Sequence, residues 1–546
     1  MGKNEPFGAA RTSDGPMVNR RDVLRGGGML AAGVLGSAVL SACSGGGKVV
    51  GSSGASPSAK MFQNLVVSEP SPPTSFDPAV STANVGVFQE MYEGLLRLTP
   101  DESTVVPALA TEMLKRVDDV TWQATLRDDR KFTDGTPIKP SDVKFSWDRI
   151  KDAKLGSAYT EYLQFVKSVK VTGPNTIEFT TVAPVEIFPY RVPMIRIVSQ
   201  ASVEQMGNAN FSKHGGVGSG SMYNTQPLSP SGISLVRYKD YNGTLPVYTE
   251  KVNYEYYPEQ STAFAGLQGG QVNVVPFLDP QYIKTAKASS SLKVGLVPVH
   301  QSTLICLILF NCAAKPFNDQ RVRQAVMYAM DREQLVSVGT LGYGTVADSP
   351  LPTSNPYHVT PATTYNHDPD KAKFLLKQAG YGDGLTFQLY VSNLGATANY
   401  APLLQQQLSQ AGITAKVRVL SVDSYFTEIF AGKYQSFVFP TQFGAFSPDV
   451  DMLIRGWWGG YYNAKAAFWK TPAANSIPGL LDKALYSTSE DVKRTTYGDI
   501  QEIIMSAAAN CPLVYQGGVC AWTSNMAGFQ PPAAGSQTAI YKVRPA

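Results

Sequence analysis

Histidine is nearly missing from this chain. Its four copies, His214, His300, His358 and His367, form no H-E-x-x-H pair and stand beside no cysteine at zinc spacing. His367 precedes the helix-start pair Asp368-Pro369 and reads as a surface residue. No metal or other cofactor is expected. A G-x-S-x-G elbow and a complete phosphate-binding loop are also lacking, because the run GGGK at Gly45–Lys48 has no second half. No catalytic residue can be named, so an enzyme is not expected. Charge is sparse at 16%, with a net +4. Setting aside residues 1–42, which hold five basic and three acidic side chains, leaves +2. That balance gives no electrostatic reason to bind nucleic acid. Long apolar runs are absent too: the N-terminal one, Gly26 to Leu40, has 15 residues against the roughly 20 of a membrane-spanning helix.

What the N-terminus does have is an ordered set of export features. Arg20-Arg21 precedes the short apolar run, which carries Gly26, Gly27 and Gly28 and would make a poor core helix at about 1 kcal/mol per glycine. A basic n-region, a short h-region and small residues describe a signal peptide, here with a twin-arginine pair. Leu40-Ser41-Ala42-Cys43 is similar to the lipobox of bacterial lipoproteins, which implies lipidation of Cys43 and export to the outer face of the cytoplasmic membrane. Ser44 to Lys60 then holds 10 Gly or Ser among 17 residues, too polar to build a core. The expected order is a signal peptide over 1–42, a flexible tether over 43–60, and a folded body beyond.

Four cysteines remain in the body. Cys511 and Cys520 flank PLVYQGGV, where Gln516-Gly517-Gly518 can turn a hairpin, and the favoured one of three connectivities bridges them. Cys306 and Cys312 share the strand-like run LICLILFNC, about 20 Å apart if extended, and read as two buried free thiols.

The body alternates strands and helices. Trp122, Ala124 and Leu126 repeat with period two, Asp134-Gly135 makes a turn, and Ser141 is expected to cap a helix bearing Val143, Trp147 and Ile150. A helix over Asn318–Val336, capped by Asn318 or Asp319, carries Val322, Ala325, Val326 and Ala329. Another begins at Asp368, turns Phe374, Leu375 and Ala379 inward and ends at Gly380, before a strand at Thr386–Val391. Tyr400–Leu420 repeats helix, glycine, strand. This alternation indicates α/β layers.

These segments resemble bacterial extracellular solute-binding proteins of family 5, which serve oligopeptide, dipeptide and nickel ABC importers. The likeness rests on FDPAVSTANVGVFQEMYEGLLRL (Phe76–Leu98), VPALATEM (Val106–Met113) and TWQATLRDDRKFTDGTPIKPSDVKFS (from Thr121). Three further blocks follow in the family's order: TAFAGLQGGQVNVV (Thr262–Val275), FNCAAKPFNDQRVRQAVMYAMDRE (Phe310–Glu333) and HDPDKAKFLLKQAGY (from His367). The match runs from Phe76 to about Gly528. It implies a two-lobed clamshell like the periplasmic binding proteins. Lobe I would comprise 61–300 plus 510–546, with a subdomain inserted over about 95–200, and lobe II 301–509. It further implies a monomer that closes on a small solute and docks on a membrane permease. A secreted hydrolase or a receptor on the same fold is the distant alternative.

The resemblance also locates a ligand region. Family members that take peptides often anchor the α-amino group with an Asp in a G-A-D-Y-x-D-P-like loop. The corresponding run here is FGAFSPDVDMLIRGWWGGYYN (Phe443–Asn463), with Phe446 at that position and Asp449 at the pattern's second acid. Trp457, Trp458, Tyr461, Tyr462 and Asn463 follow, and planar aromatics with an amide suit sugars as well as peptide side chains. Ser81, Thr82 and Asn84 stand where related proteins place a pocket-lining loop. GGVGSGSMYN (Gly215–Asn224) is similar to the family's G-T-G-P-Y strand entry, with Ser221 in place of proline. An oligopeptide-like solute is expected, with an oligosaccharide as the alternative.

Overall fold

A computed structural model describes residues 60–546, apart from 82–84, 100–103, 158, 394, 443–448, 461–462 and 532–539. Cys43 and the export features lie outside the described residues, as do Thr82, Asn84, Phe446, Tyr461 and Tyr462.

The chain is α/β, built on three principal sheets. In the seven-stranded sheet the order is Leu292–Val297, Gly518–Thr523, Val274–Val275, Leu65–Glu69, Lys251–Tyr256, Gly232–Arg237, Met222–Asn224. Leu65 and Val67 enter one buried cluster and Val66 the other, so both faces of the first strand are covered. The six-stranded sheet runs Gly344–Val346, Asn510–Gln516, Leu304–Phe310, Ser436–Gln442, Leu385–Ser392, Ile413–Leu420. Its strand LICLILF is apolar throughout for the same reason. Cys306, Ile308 and Phe310 pack under the helices Gln320–Ala329 and Tyr400–Gln410, while Ile305, Leu307 and Leu309 pack against Trp458, Ile477 and Ile500. A four-stranded antiparallel sheet, Lys115–Arg116, Thr121–Thr125, Thr176–Thr181, Val166–Val171, is covered by the helix Pro140–Lys151, whose Val143, Trp147 and Ile150 are buried.

Several local expectations change. The helix expected to start under a Ser141 cap begins at Pro140, and Asp142 accepts the Lys139 amide at 2.9 Å. Asp319 does cap its helix, but that helix stops at Ala329. Asp331 then caps a second turn by accepting from the Gln334 amide, so one expected helix is two. Phe374 is 58% exposed, against expectation: the helix Pro369–Gln378 buries Ala372 and Leu376, with Leu375 and Ala379 partly buried against the same core. Ser221 donates to buried Glu90 at 3.0 Å, a structural use.

The largest correction concerns the C-terminal strands. Asn510–Gln516 pairs with Leu304–Phe310 and Gly344–Val346, whereas Gly518–Thr523 pairs with Val274–Val275 and Leu292–Val297. Gln516-Gly517-Gly518 is therefore a crossing between two sheets and not a hairpin. Cys511 and Cys520 sit in different cores, and Cys306, Cys312, Cys511 and Cys520 are all free thiols. The strand Asn510–Gln516 belongs with the six-stranded sheet and Gly518–Thr523 with the seven-stranded one, so the chain passes between these sheets at Gly517. The chain crosses between these sheets once more, between Val297 and Leu304. The two crossings touch, because Val297 is in register with Gly518 and Leu304 with Gln516.

Candidate functional site

Parallel strands align their carboxyl ends, and open α/β sheets bind ligands in the crevice beyond those ends. Both large sheets contain such a set. Leu65–Glu69 runs parallel to Lys251–Tyr256 and Val274–Val275. Leu385–Ser392 runs parallel to Ile413–Leu420 and Ser436–Gln442. A cavity of about 320 Å³ lies where residues following these strands meet. Glu259, Gln260 and Asp279 line it from the seven-stranded side, and Asn393, Asn399 and Ser421 from the six-stranded side.

Two ties span the cavity. The Asn393 amide donates to the Pro258 carbonyl at 2.8 Å. The Asn399 amide donates to both oxygens of Asp279, at 3.2 and 3.0 Å. Asp279 starts a short 3-10 turn, accepting from the Gln281 backbone at 3.0 Å and its side-chain amide at 2.9 Å. These contacts fill the roughly four acceptor positions of a carboxylate. Tyr282 stacks on Phe264 with centroids 4.5 Å apart, and burial followed by the charge of Asp279 raises its phenol pKa. Gln260 Oε1 is buried and finds no hydrogen-bond partner among the described residues.

The region singled out from sequence has a different character. Ser81 is buried, and its carbonyl accepts the Tyr159 hydroxyl at 3.2 Å. Asp449 caps the helix Val450–Ile454, accepting the Asp451 amide at 2.9 Å, and pairs with Arg191. Trp457 lies on Phe439 at 4.5 Å, and Trp458 is buried in the core of the six-stranded sheet. The Asn463 amide donates to the carbonyls of Trp458 and Trp469 at 3.2 and 3.1 Å and accepts the Trp469 amide at 2.9 Å. Asp449, Trp458 and Asn463 thus build their own loop, and none of the three lines the cavity.

An ion-pair network missed by the sequence reading sits beneath that loop. Arg191, at the end of the helix Phe188–Arg191, is 0% exposed. It reaches Asp449, Asp451 Oδ2 at 2.5 Å and the Tyr162 carbonyl at 2.7 Å. Asp451 also meets Arg455 at 2.8 Å, and Arg455 meets Asp482 at 2.9 Å. Burial raises the Asp449 pKa despite its partner. At Asp451 burial acts in the same direction, but Arg191 and Arg455 outweigh it and hold the pKa down.

Glu69 closes the central strand and makes no side-chain hydrogen bond or ion pair among the described residues. Burial pushes its pKa up to about 8 from 4.5. The folded state therefore holds a proton that the unfolded state has released between these values, and stability falls as pH rises from about 4.5 to 8. Glu69→Gln should stabilise the protein by about 1 kcal/mol or more at pH 8 and change little at pH 4.5. Urea melts at the two pH values check this, and equal effects at both would contradict it.

The cavity residues carry a signal that could have been read. Asp279-Pro280 repeats the Asp-Pro turn start of Asp368-Pro369, and Pro258-Glu259 directly follows a strand. What sequence does not show is that these ends lie side by side.

Comparison with known proteins agrees with this architecture. The family described as bacterial extracellular solute-binding proteins, family 5 Middle, matches residues 104–476. The glutathione-binding protein GsiB of Salmonella typhi is 28% identical over 488 residues, covering 86% of this chain and 92% of that protein. Among solved structures, the periplasmic binding protein DppA of Helicobacter pylori in complex with the peptide STSA has a TM-score of 0.80 at 21% identity, covering 89% of this chain and 98% of that one. The oligopeptide-binding protein AppA of Bacillus subtilis in complex with a nonapeptide has a TM-score of 0.79 at 21% identity, covering 89% and 100%.

Proposed function

Because the chain belongs to the bacterial extracellular solute-binding proteins of family 5, we propose that it captures a peptide-like solute in the cleft between its two large sheets and delivers it to an ABC permease. It is a binding protein and not an enzyme. The observation that carries the reading is the meeting of two parallel-strand carboxyl edges at one cavity, beside two touching crossings that can serve as a hinge. A solute bridging both edges is fully contacted only when they are close, so binding shifts the population toward the closed arrangement. The named ligands of the relatives, glutathione and peptides, support a peptide-like class. Of the residues that suggest an oligosaccharide, the Asn463 amide and Trp458 are engaged within their own loop, which favours the peptide class over that alternative.

Two experiments test this. In a thermal-shift screen of glutathione, di- to nonapeptides and oligosaccharides, a peptide at one hundred times its Kd should stabilise the protein by about 2.7 kcal/mol. A shift from oligosaccharides alone would overturn the peptide reading. The tether and lipid anchor complete the proposal, since a capture protein works beside its permease. Cys43→Ala should then move the protein from the membrane fraction to the soluble exported fraction, and retention in membranes would refute the anchor.

A further inference from the structure

The buried ion-pair network has two sides. Arg191 belongs to the body built on the four-stranded sheet, whereas Asp449, Asp451 and Arg455 follow the strand Ser436–Gln442 of the six-stranded sheet. The four-stranded body is held firmly to segments beside the seven-stranded sheet: buried Arg149 meets buried Asp77 at 2.7 Å, and the Thr133 amide donates to the Gly218 carbonyl at 2.8 Å. Its contact with the six-stranded side is a compact patch. Met452 and Leu485 enter its hydrophobic core, and Lys493 pairs with Glu186 at 2.5 Å. Gly456 lies so close to Tyr162 that a Cβ would stand 2.5 Å from the phenol oxygen. Each side also keeps partners of its own. Without Arg191, Asp451 still has Arg455 at 2.8 Å, and Asp449 has the Asp451 and Met452 amides at 2.9 and 3.4 Å. Without the two acids, Arg191 still donates to the Tyr162 carbonyl at 2.7 Å.

We propose that this patch is a latch on lobe closure: Arg191, gripping Asp449 and Asp451, holds the four-stranded body against the six-stranded side, and letting go of them opens the cleft. The proposal rests on the closure reading above and names what sets its balance when no solute is bound. Parting the two sides wets these charges without stranding any of them, whereas a buried ion left unpaired is very costly. A contact that is tight when dry and separable when wet suits an element with two discrete arrangements. The touching crossings at Gly517 and Val297 allow the swing, and the latch stands on other segments of the chain, so it can part while the crossings stay joined. The glycine at 456 has its reason here too, since Tyr162 seats directly against the backbone of the opposite side.

Spin labels on Val117→Cys and Phe374→Cys, at side chains 53% and 58% exposed, place one probe on each side, and pulsed electron paramagnetic resonance reads the distance between them. In the solute-free mature protein one shorter distance should dominate. Arg191→Gln should raise the share of a longer distance about tenfold or more. Gly456→Val keeps every charge and instead wedges Tyr162 away; it should act in the same direction, and it keeps the test decisive if Arg191→Gln does not fold. A network serving stability alone would lower the denaturation midpoint of both variants and leave the distance unchanged. That result overturns the latch while leaving the closure reading standing. In the opened variants, the peptide that gives the largest thermal shift in the screen above should restore the shorter distance. A longer distance that no screened peptide shortens overturns the closure reading, and the latch with it.

Discussion

Replacing Arg191 by alanine should destabilise the folded protein by about 3–5 kcal/mol. The figure follows from what would be left behind. Asp449 and Asp451 are both buried, and removing the guanidinium leaves two carboxylates close together without the cation they share, while Arg455 still pairs with Asp451. One of them must take up a proton or water must enter, and either costs several kcal/mol. The effect should depend on pH with a defined sign. The Asp451 pKa is held below its unfolded value of 3.8, so its contribution is present above that range and is lost as pH falls through it. Asp451→Asn should therefore lose less stability at pH 3 than at pH 7. Urea denaturation at both values measures this, and a loss below 1 kcal/mol for Arg191→Ala at pH 7 would contradict the network. The network also joins distant chain segments, since Arg191 follows the four-stranded sheet in sequence while Asp449 and Asp451 follow the strand Ser436–Gln442.

The second large effect is expected at Gly517. A Cβ there would stand 2.7 Å from the Val297 carbonyl, a backbone atom of the other crossing that cannot turn aside as a side chain could. The Gly517 amide meanwhile donates to Tyr343 at 3.1 Å, which fixes its position. Gly517→Val must force the two crossings apart, at about 1–3 kcal/mol in stability. If the crossings are the hinge of the proposed closure, the effect on function should be greater, because their displacement changes how well both edges reach one solute. We expect affinity for the best peptide to fall about tenfold or more. Calorimetry on the variant decides this, and unchanged affinity would show that the crossings do not govern closure.

The residues that were legible in sequence are those whose environment is set nearby. Trp122 and Ala124 alternate because their strand covers one core, and the Asp368 cap and the turn at Gly412 follow from local chemistry. Phe374 lies one position outside the stripe, since Ala372 and Leu376, one turn apart, fit the close approach to the helix Gln320–Ala329, and Leu375 and Ala379 flank them. Gly517 misled for a deeper reason. Two strands separated by one glycine satisfy the local signal for a hairpin, and only pairing with strands some 200 residues away shows that they part. The cavity was hidden likewise, since parallel pairing of Leu65–Glu69 with Lys251–Tyr256 brings together segments with no sequence relation. The run Phe443–Asn463 was singled out by resemblance, but the partners that occupy Asp449 and Asn463 come from tertiary packing.

The free state of the four cysteines has a practical consequence. No covalent cross-link holds these described residues, so a reducing cytoplasm is as suitable for completing the fold as an oxidising exterior. Burial also pushes the Cys312 thiol up to about 11 and the Cys520 thiol up to about 12, leaving both unreactive near neutral pH. A single engineered surface cysteine could therefore carry a fluorophore on the otherwise native chain, and report lobe closure with little competing labelling from within.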